Sequence, residues 1–224
     1  MKSTSETVVL LSGGIDSAAC VCFYRERRQH LSGLFVDYGQ IAATHEERAA
    51  KKIAEVYDVP LSTVRLHGAR RKECGEVAGR NALLCMIALA EFRGPKGQIA
   101  IGLHSGTPYY DCTKEFLANV QSIADGYAND RVQFTAPLLS WNKKEIWCFC
   151  RNNNVPVEIT YSCERGDETP CGECLSCRDM EEVGAITQRF QVSPTAFFDR
   201  MKRKFNINTV APRSSFRAPN LSST

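Results

Sequence analysis

Three groups of residues in this chain have the types and spacing to do chemistry. The first is Ser12-Gly13-Gly14-Ile15-Asp16-Ser17, which follows an apolar run and precedes Ala18-Ala19-Cys20-Val21-Cys22-Phe23. A buried strand turning into a helix at such a loop brings backbone N–H groups and the positive helix end to one point, where an anion belongs. The two glycines let the backbone come close, and Ser12 and Ser17 add hydroxyl donors. Asp16 would repel a bare phosphate unless a magnesium ion lay between them. The loop has no lysine before Ser17, so it is not the loop that holds the β and γ phosphates of a transferred phosphoryl group. An ordinary glycine-rich turn is the competing reading.

The second group is Cys163, Cys171, Cys174 and Cys177, four soft ligands within fifteen residues. That set suits tetrahedral zinc, and with all four thiols in use no position stays open for a catalytic water, so the expected metal is structural. A redox Cys-x-x-Cys pair competes with that reading. The other seven of the eleven cysteines are scattered among apolar neighbours and read as small core hydrophobes. An odd count without an export signal argues against a disulfide framework and for a reducing cytoplasm.

The third group comprises polar residues placed just after expected strands, and it depends on the elements. Period-2 and period-3.6 patterning predicts strands over 7–11, 33–37, 61–66, 98–103 and 132–135, alternating with helices from 16 and over 44–57, 81–92, 114–127 and 143–152. Alternation of this kind means an α/β fold, a mostly parallel sheet covered on both faces, with ligands bound beyond the carboxyl ends of the strands. The segments to inspect are therefore 12–17, 37–40, 79–81, 104–112 and 137–143, which contain Asp37, Gly79, Arg80, Asn81, Tyr109, Asp111 and Lys143. Three parts are expected: an α/β domain over 1–155 that carries the anion-binding loop, a zinc-binding segment over 156–192, and a C-terminal helix (194–205) with a basic tail over 193–224.

A net charge of +3 is too weak a bias to imply nucleic acid, although Lys202, Arg203, Lys204, Arg213 and Arg217 make the tail basic. The longest apolar run, 82–90, is less than half the roughly 20 residues a membrane helix needs.

Ser-Gly-Gly-Ile-Asp-Ser resembles the pyrophosphate-binding loop of the ATP pyrophosphatase (PP-loop) superfamily, whose members split ATP to AMP and pyrophosphate and adenylate an oxygen. More of the chain is similar to the 7-cyano-7-deazaguanine synthase family. The matching pieces run in order: 12–17, then Asp37-Tyr38-Gly39-Gln40, Gly79-Arg80-Asn81, Tyr109 with Asp111-Cys112, Pro137-Leu138 with Lys143 and Glu145, and finally Ser162-Cys163 with Cys171-Gly172-x-Cys174-x-x-Cys177. The resemblance implies a Rossmann-like doubly wound sheet with a small zinc-bearing C-terminal part, usually dimeric. It implies that 7-carboxy-7-deazaguanine is adenylated, that ammonia displaces AMP, and that a second ATP drives dehydration to the nitrile on the queuosine pathway.

Carried over by position, Ser12, Gly13, Gly14, Asp16, Ser17 and Asp37 would bind ATP and magnesium, with Asp16, Ser17 and Lys143 catalytic. Gly79, Arg80, Asn81, Tyr109 and Asp111 would bind substrate, and the four clustered cysteines zinc. Structural alternatives stand beside these roles: Arg80 pairing with a surface acid, Asp111 capping the next helix, Lys143 solvated in a first turn. The chain also departs from the family pattern. The span before Gly79 is short, Ala78 replaces a Pro, Tyr110 and Thr113 replace the Pro and Arg of Tyr-Pro-Asp-Cys-Arg, and Arg178 lies immediately beside Cys177. Two further readings follow. Relatives occur in bacterial anti-phage operons, including cyclic-oligonucleotide signalling systems, and some resemble ligases that join a deazaguanine to a protein amine. A tRNA-modifying or non-catalytic nucleotide-binding role is the third.

Overall fold

Strand β1 (Glu6–Leu10) feeds helix α1 (Ile15–Arg25), and the cycle repeats through β2 (His30–Asp37), α2 (Ala43–Tyr57) and β3 (Leu61–Arg65). It resumes with α3 (Arg80–Glu91), β4 (Gly97–Ala100), α4 (Lys114–Ala128), β5 (Val132–Thr135) and α5 (Lys143–Asn152), and ends in α6 (Leu175–Arg189). This is a computed structural model, and it describes residues 6–27, 30–68 and 77–189. The helix expected over 194–205 and the basic tail lie outside the described residues.

The five strands form one sheet in the order β3-β2-β1-β4-β5, every neighbouring pair parallel. Parallel pairing requires a crossover between strands, which the intervening helices supply. Leu10, Leu34, Val36, Ile99 and Phe134 face Cys85, Ala88, Phe116, Val120 and Ala124 of α3 and α4 in one core cluster. The alternating residues Val9, Phe35 and Ala100 are fully buried as well, so both faces of the sheet are covered.

The chain winds outward from β1 through β2 to β3, then returns to the other side of β1 as β4. The connections leaving β1 and β4 therefore diverge and open a crevice beyond their carboxyl ends, the usual ligand position in such sheets. β4 is shorter than the expected 98–103. Beyond Ala100 the chain turns on itself, the Leu103 N–H donating to the Ile101 carbonyl (3.0 Å) rather than to a neighbouring strand. Helix α6 has no counterpart in the patterning, since residues 156–192 read only as a metal-binding segment.

Candidate active site

The loop from β1 to α1 is held from three directions. Gly13 has φ +86°, and a Cβ on it would stand 2.4 Å from the Glu46 carbonyl oxygen of α2, so only glycine lets the loop press this close. The Gly13 carbonyl accepts the Tyr161 N–H at 2.9 Å, which ties the C-terminal segment to the loop. Ser17 Oγ donates to the Gly14 carbonyl at 2.8 Å and stands 3.4 Å from Ser12 Oγ. Gly14 caps α1 without a side-chain acceptor, so the N–H groups of that helix end are left for an anion.

Across the crevice, α5 starts with a reciprocal cap: Asn142 Oδ1 accepts the Glu145 N–H (3.0 Å) and Glu145 Oε2 accepts the Asn142 N–H (2.9 Å). The cap fixes the first residue of the helix, Lys143, whose ammonium donates to both Asp16 oxygens at 2.9 and 2.8 Å. Both side chains are largely buried, so Lys143 is no solvated first-turn residue, and it neutralises the one acid within the phosphate loop.

Two groups that the sequence did not single out join this pair. His104, after β4, is buried with Nε2 at 3.9 Å from Asp16 Oδ2. Burial pushes the His104 imidazolium down from the ordinary histidine range, with Asp16 opposing and Lys143 adding to the effect, which leaves the ring neutral near pH 7. Asp179, from α6, lines the same cavity, and burial holds its carboxyl above the ordinary range against the pull of Lys143 and His104. The only signal for His104 was its place after a strand, and for Asp179 there was none.

These groups line a cavity of about 320 Å³, the size class of small-molecule sites. Ser12, Gly14, Asp16, Ser17 and Lys143 reach it from one set of expected positions, and Arg80, Asn81, Tyr109 and Asp111 from the other. Leu84, Ile101 and Leu103 give it an apolar wall. Gly13, Asp37 and Gly79 do not line it. Asp37 Oδ1 accepts the Gly39 N–H (3.0 Å) in the turn after β2, and Gly79 starts α3 with φ 74°.

Arg80 Nε donates to Asn81 Oδ1 (3.2 Å), and its charge opposes the burial that raises the Tyr38 phenol. Asp111 does not cap α4: Thr113 does, its Oγ1 accepting the Phe116 N–H at 3.1 Å. Where the family pattern has an arginine, this chain therefore has a helix cap. Arg178 is exposed and does not line the cavity.

The four cysteine sulfurs lie within 4.8 Å of one another, in a cluster that can hold zinc. Thiolates about 2.3 Å from one zinc stand about 3.8 Å apart; Cys171 and Cys177 Sγ are 3.9 Å apart. The N–H groups of Cys174 (3.3 Å) and Glu173 (3.4 Å) point at Cys171 Sγ and lower that thiol below its ordinary range. Cys177 sits in the first turn of α6, so a metal in the cluster would pin the helix that carries Leu175, Ser176 and Asp179 to the cavity.

The family model described as queuosine biosynthesis protein QueC matches residues 6–73 and 71–183. The chain belongs to the QueC family. Among curated relatives, the 7-cyano-7-deazaguanine synthase of Prochlorococcus marinus (strain NATL2A) is 33% identical over 215 residues, covering 80% of this chain and 94% of the relative. That of Aquifex aeolicus (strain VF5) is 32% identical, covering 82% and 98%. The NMN synthetase of Francisella tularensis aligns with TM-score 0.46 at 12% identity, over 96% of this chain and 91% of its own, too loosely to add to the argument. The QueC match spans the phosphate loop, the Arg80-Asn81 pair, Lys143 and all four clustered cysteines. No helix among the described residues is long and apolar enough to cross a membrane.

Proposed function

We propose that this chain uses ATP to activate the carboxylate of 7-carboxy-7-deazaguanine, passes the acyl group to ammonia, and dehydrates the amide with a second ATP to give 7-cyano-7-deazaguanine. The observation that carries this reading is the Lys143–Asp16 pair, set at the uncapped start of α1 in the same cavity as Arg80, Asn81, Tyr109 and Asp111. The loop and helix end hold pyrophosphate and stabilise its departing charge, which leaves the α-phosphorus open to the carboxylate oxygen. Lys143 stands where it can follow negative charge moving between Asp16 and the phosphates. Asp16 also suits magnesium, whose charge would offset that of the phosphates. Asp111 suits the paired N–H donors of a guanine-like edge, and the apolar wall suits its flat ring.

In the first half-reaction the carboxylate oxygen bonds to the α-phosphorus and pyrophosphate leaves with the electron pair. Ammonia nitrogen then bonds to the acyl carbon, AMP leaves, and the nitrogen gives up a proton. The zinc is structural on this reading, and a cytoplasmic homodimer is its expected setting.

The test is mass spectrometry of a reaction holding purified protein, ATP, magnesium, the carboxylate and ammonium, with Asp16→Asn as the blank. Nitrile with AMP and pyrophosphate is the expected result. AMP with an amide on a protein amine and no nitrile would replace ammonia by a macromolecular acceptor. Absence of both AMP and product would overturn the substrate.

A further inference from the structure

His104 has a role that neither the phosphate loop nor the cysteine cluster explains. Its ring is buried at the exit of β4, on the cavity wall. Nδ1 accepts the Gly106 N–H at 3.0 Å. An imidazole nitrogen that accepts a hydrogen bond carries no proton, so in the neutral ring the proton sits on Nε2. The loop is shaped for this contact: a Cβ on residue 106 would stand 2.9 Å from Nδ1 and 3.0 Å from Cε1, and the ring would have to shift to admit it.

Nε2 lies 3.9 Å from Asp16 Oδ2, beyond hydrogen-bond reach. The groups that face His104 are Asp16 from α1, Lys143 from α5 and Asp179 from α6. Lys143 already takes both oxygens of Asp16. The Nε2–H donor is thus fixed in direction, borders the cavity, and stands beside the residues given to ATP.

We propose that His104 is a further ligand-contacting residue of this site, a neutral hydrogen-bond donor through Nε2–H to an anionic phosphate oxygen of the nucleotide, and not a general base. The proposal rests on the adenylating function above. As the carboxylate oxygen bonds to the α-phosphorus and the bond to pyrophosphate breaks, the electron pair leaves with pyrophosphate. The imidazole keeps its proton throughout. Neutral imidazoles serve as fixed donors of this kind where burial denies them a charge. A fixed donor needs no reorganisation as charge develops.

The experiment compares the full-length chain with His104→Ala and His104→Gln by histidine nitrogen NMR and by titration with ATP and magnesium. Glutamine sets an amide N–H near the place of Nε2 and does not titrate, and its loss of one resonance set assigns His104 among the four histidines. The expected result is a protonated, pyrrole-type Nε2 with a pyridine-type Nδ1. Affinity for ATP should fall about 10- to 100-fold in His104→Ala, the range for losing one charge-assisted hydrogen bond. It should stay within about threefold of the parent in His104→Gln. Thermal unfolding of both variants separates these effects from loss of fold.

A pyridine-type Nε2 at neutral pH would overturn the proposal, as would equal ATP affinities in all three proteins or no ATP binding by the parent. Neither readout uses a carboxylate substrate. The donor role can therefore fail while nitrile is made, and can stand if the deazaguanine reading falls.

Discussion

Lys143 and Asp16 show how much one contact decides. The carboxylate sits inside a loop built for an anion, and a lysine from the far end of the sheet makes that tolerable. Lys143→Met keeps the length of the side chain and removes the charge. Its pyrophosphate release should fall about 10²- to 10³-fold, the scale for removing one electrostatic partner of a developing charge. Steady-state assays at saturating ATP check this, and wild-type turnover in the variant would remove Lys143 from the reaction. Gly13 is the second test at this scale. With φ +86° and only 2.4 Å between an added methyl and the Glu46 carbonyl, Gly13→Ala combines strain with a backbone clash. It should destabilise the chain by about 2–4 kcal/mol in urea unfolding and weaken ATP binding with it. Residues whose chemistry is written in local spacing, such as 12–17 and the four cysteines, were legible in the sequence. His104 and Asp179 were not, because each acts through groups brought near only by the fold.

Among the elements, α1 to α5 and the five strands were legible from apolar runs and, for α2, from a stretch rich in Ala, Glu and Lys, although β2 starts at His30, three residues before the expected 33. The predicted bounds for β5 and α5 match the observed Val132–Thr135 and Lys143–Asn152. Helix α6 was missed because its first turn holds Cys177 of the cysteine cluster, so residues 156–192 were read as a metal-binding segment, and the helical spacing of Cys177, Met180 and the buried Val183 was passed over. Its Ser176 is further tied to Glu164, which accepts from both N–H (3.2 Å) and Oγ (2.8 Å). Metal removal should therefore disturb catalysis at a distance. Zinc held by the cluster should be released by Cys174→Ser or by chelation, and its loss should open residues 156–189 to proteolysis, because a structural site contributes on the order of 10 kcal/mol. Adenylation should fall with it, since Ser176 and Asp179 leave the cavity wall. Full activity in a metal-free protein would show that α6 docks without zinc. The cap of α5 is a milder test: Asn142→Ala should cost about 1 kcal/mol and lower turnover through the misplaced Lys143.

Taken whole, the molecule builds one cavity from pieces of β1–α1, β2–α2, α3, the β4–α4 connection, α5 and α6, so occupancy of that cavity bears on global stability. The same coupling makes stability depend on pH through His104. The unfolded imidazole titrates near its ordinary value of about 6.5. In the folded chain burial lowers that value, and the nearby Lys143 ammonium lowers it further against the opposing Asp16 carboxylate. Between the two values the unfolded chain binds more protons than the folded one, so stability rises with pH across that window. The contribution is fully present above about pH 6.5 and is lost as pH falls through the folded value. Urea midpoints measured from about pH 7 down to pH 5 should therefore drop more steeply for the parent than for His104→Gln, which has nothing to titrate at that position. Carboxylates that titrate lower affect both proteins alike, so the difference between the two curves isolates the imidazole. Parallel curves would mean that the ring accepts its proton as readily inside the fold as outside it, and that the cavity is wetter around His104 than its burial implies.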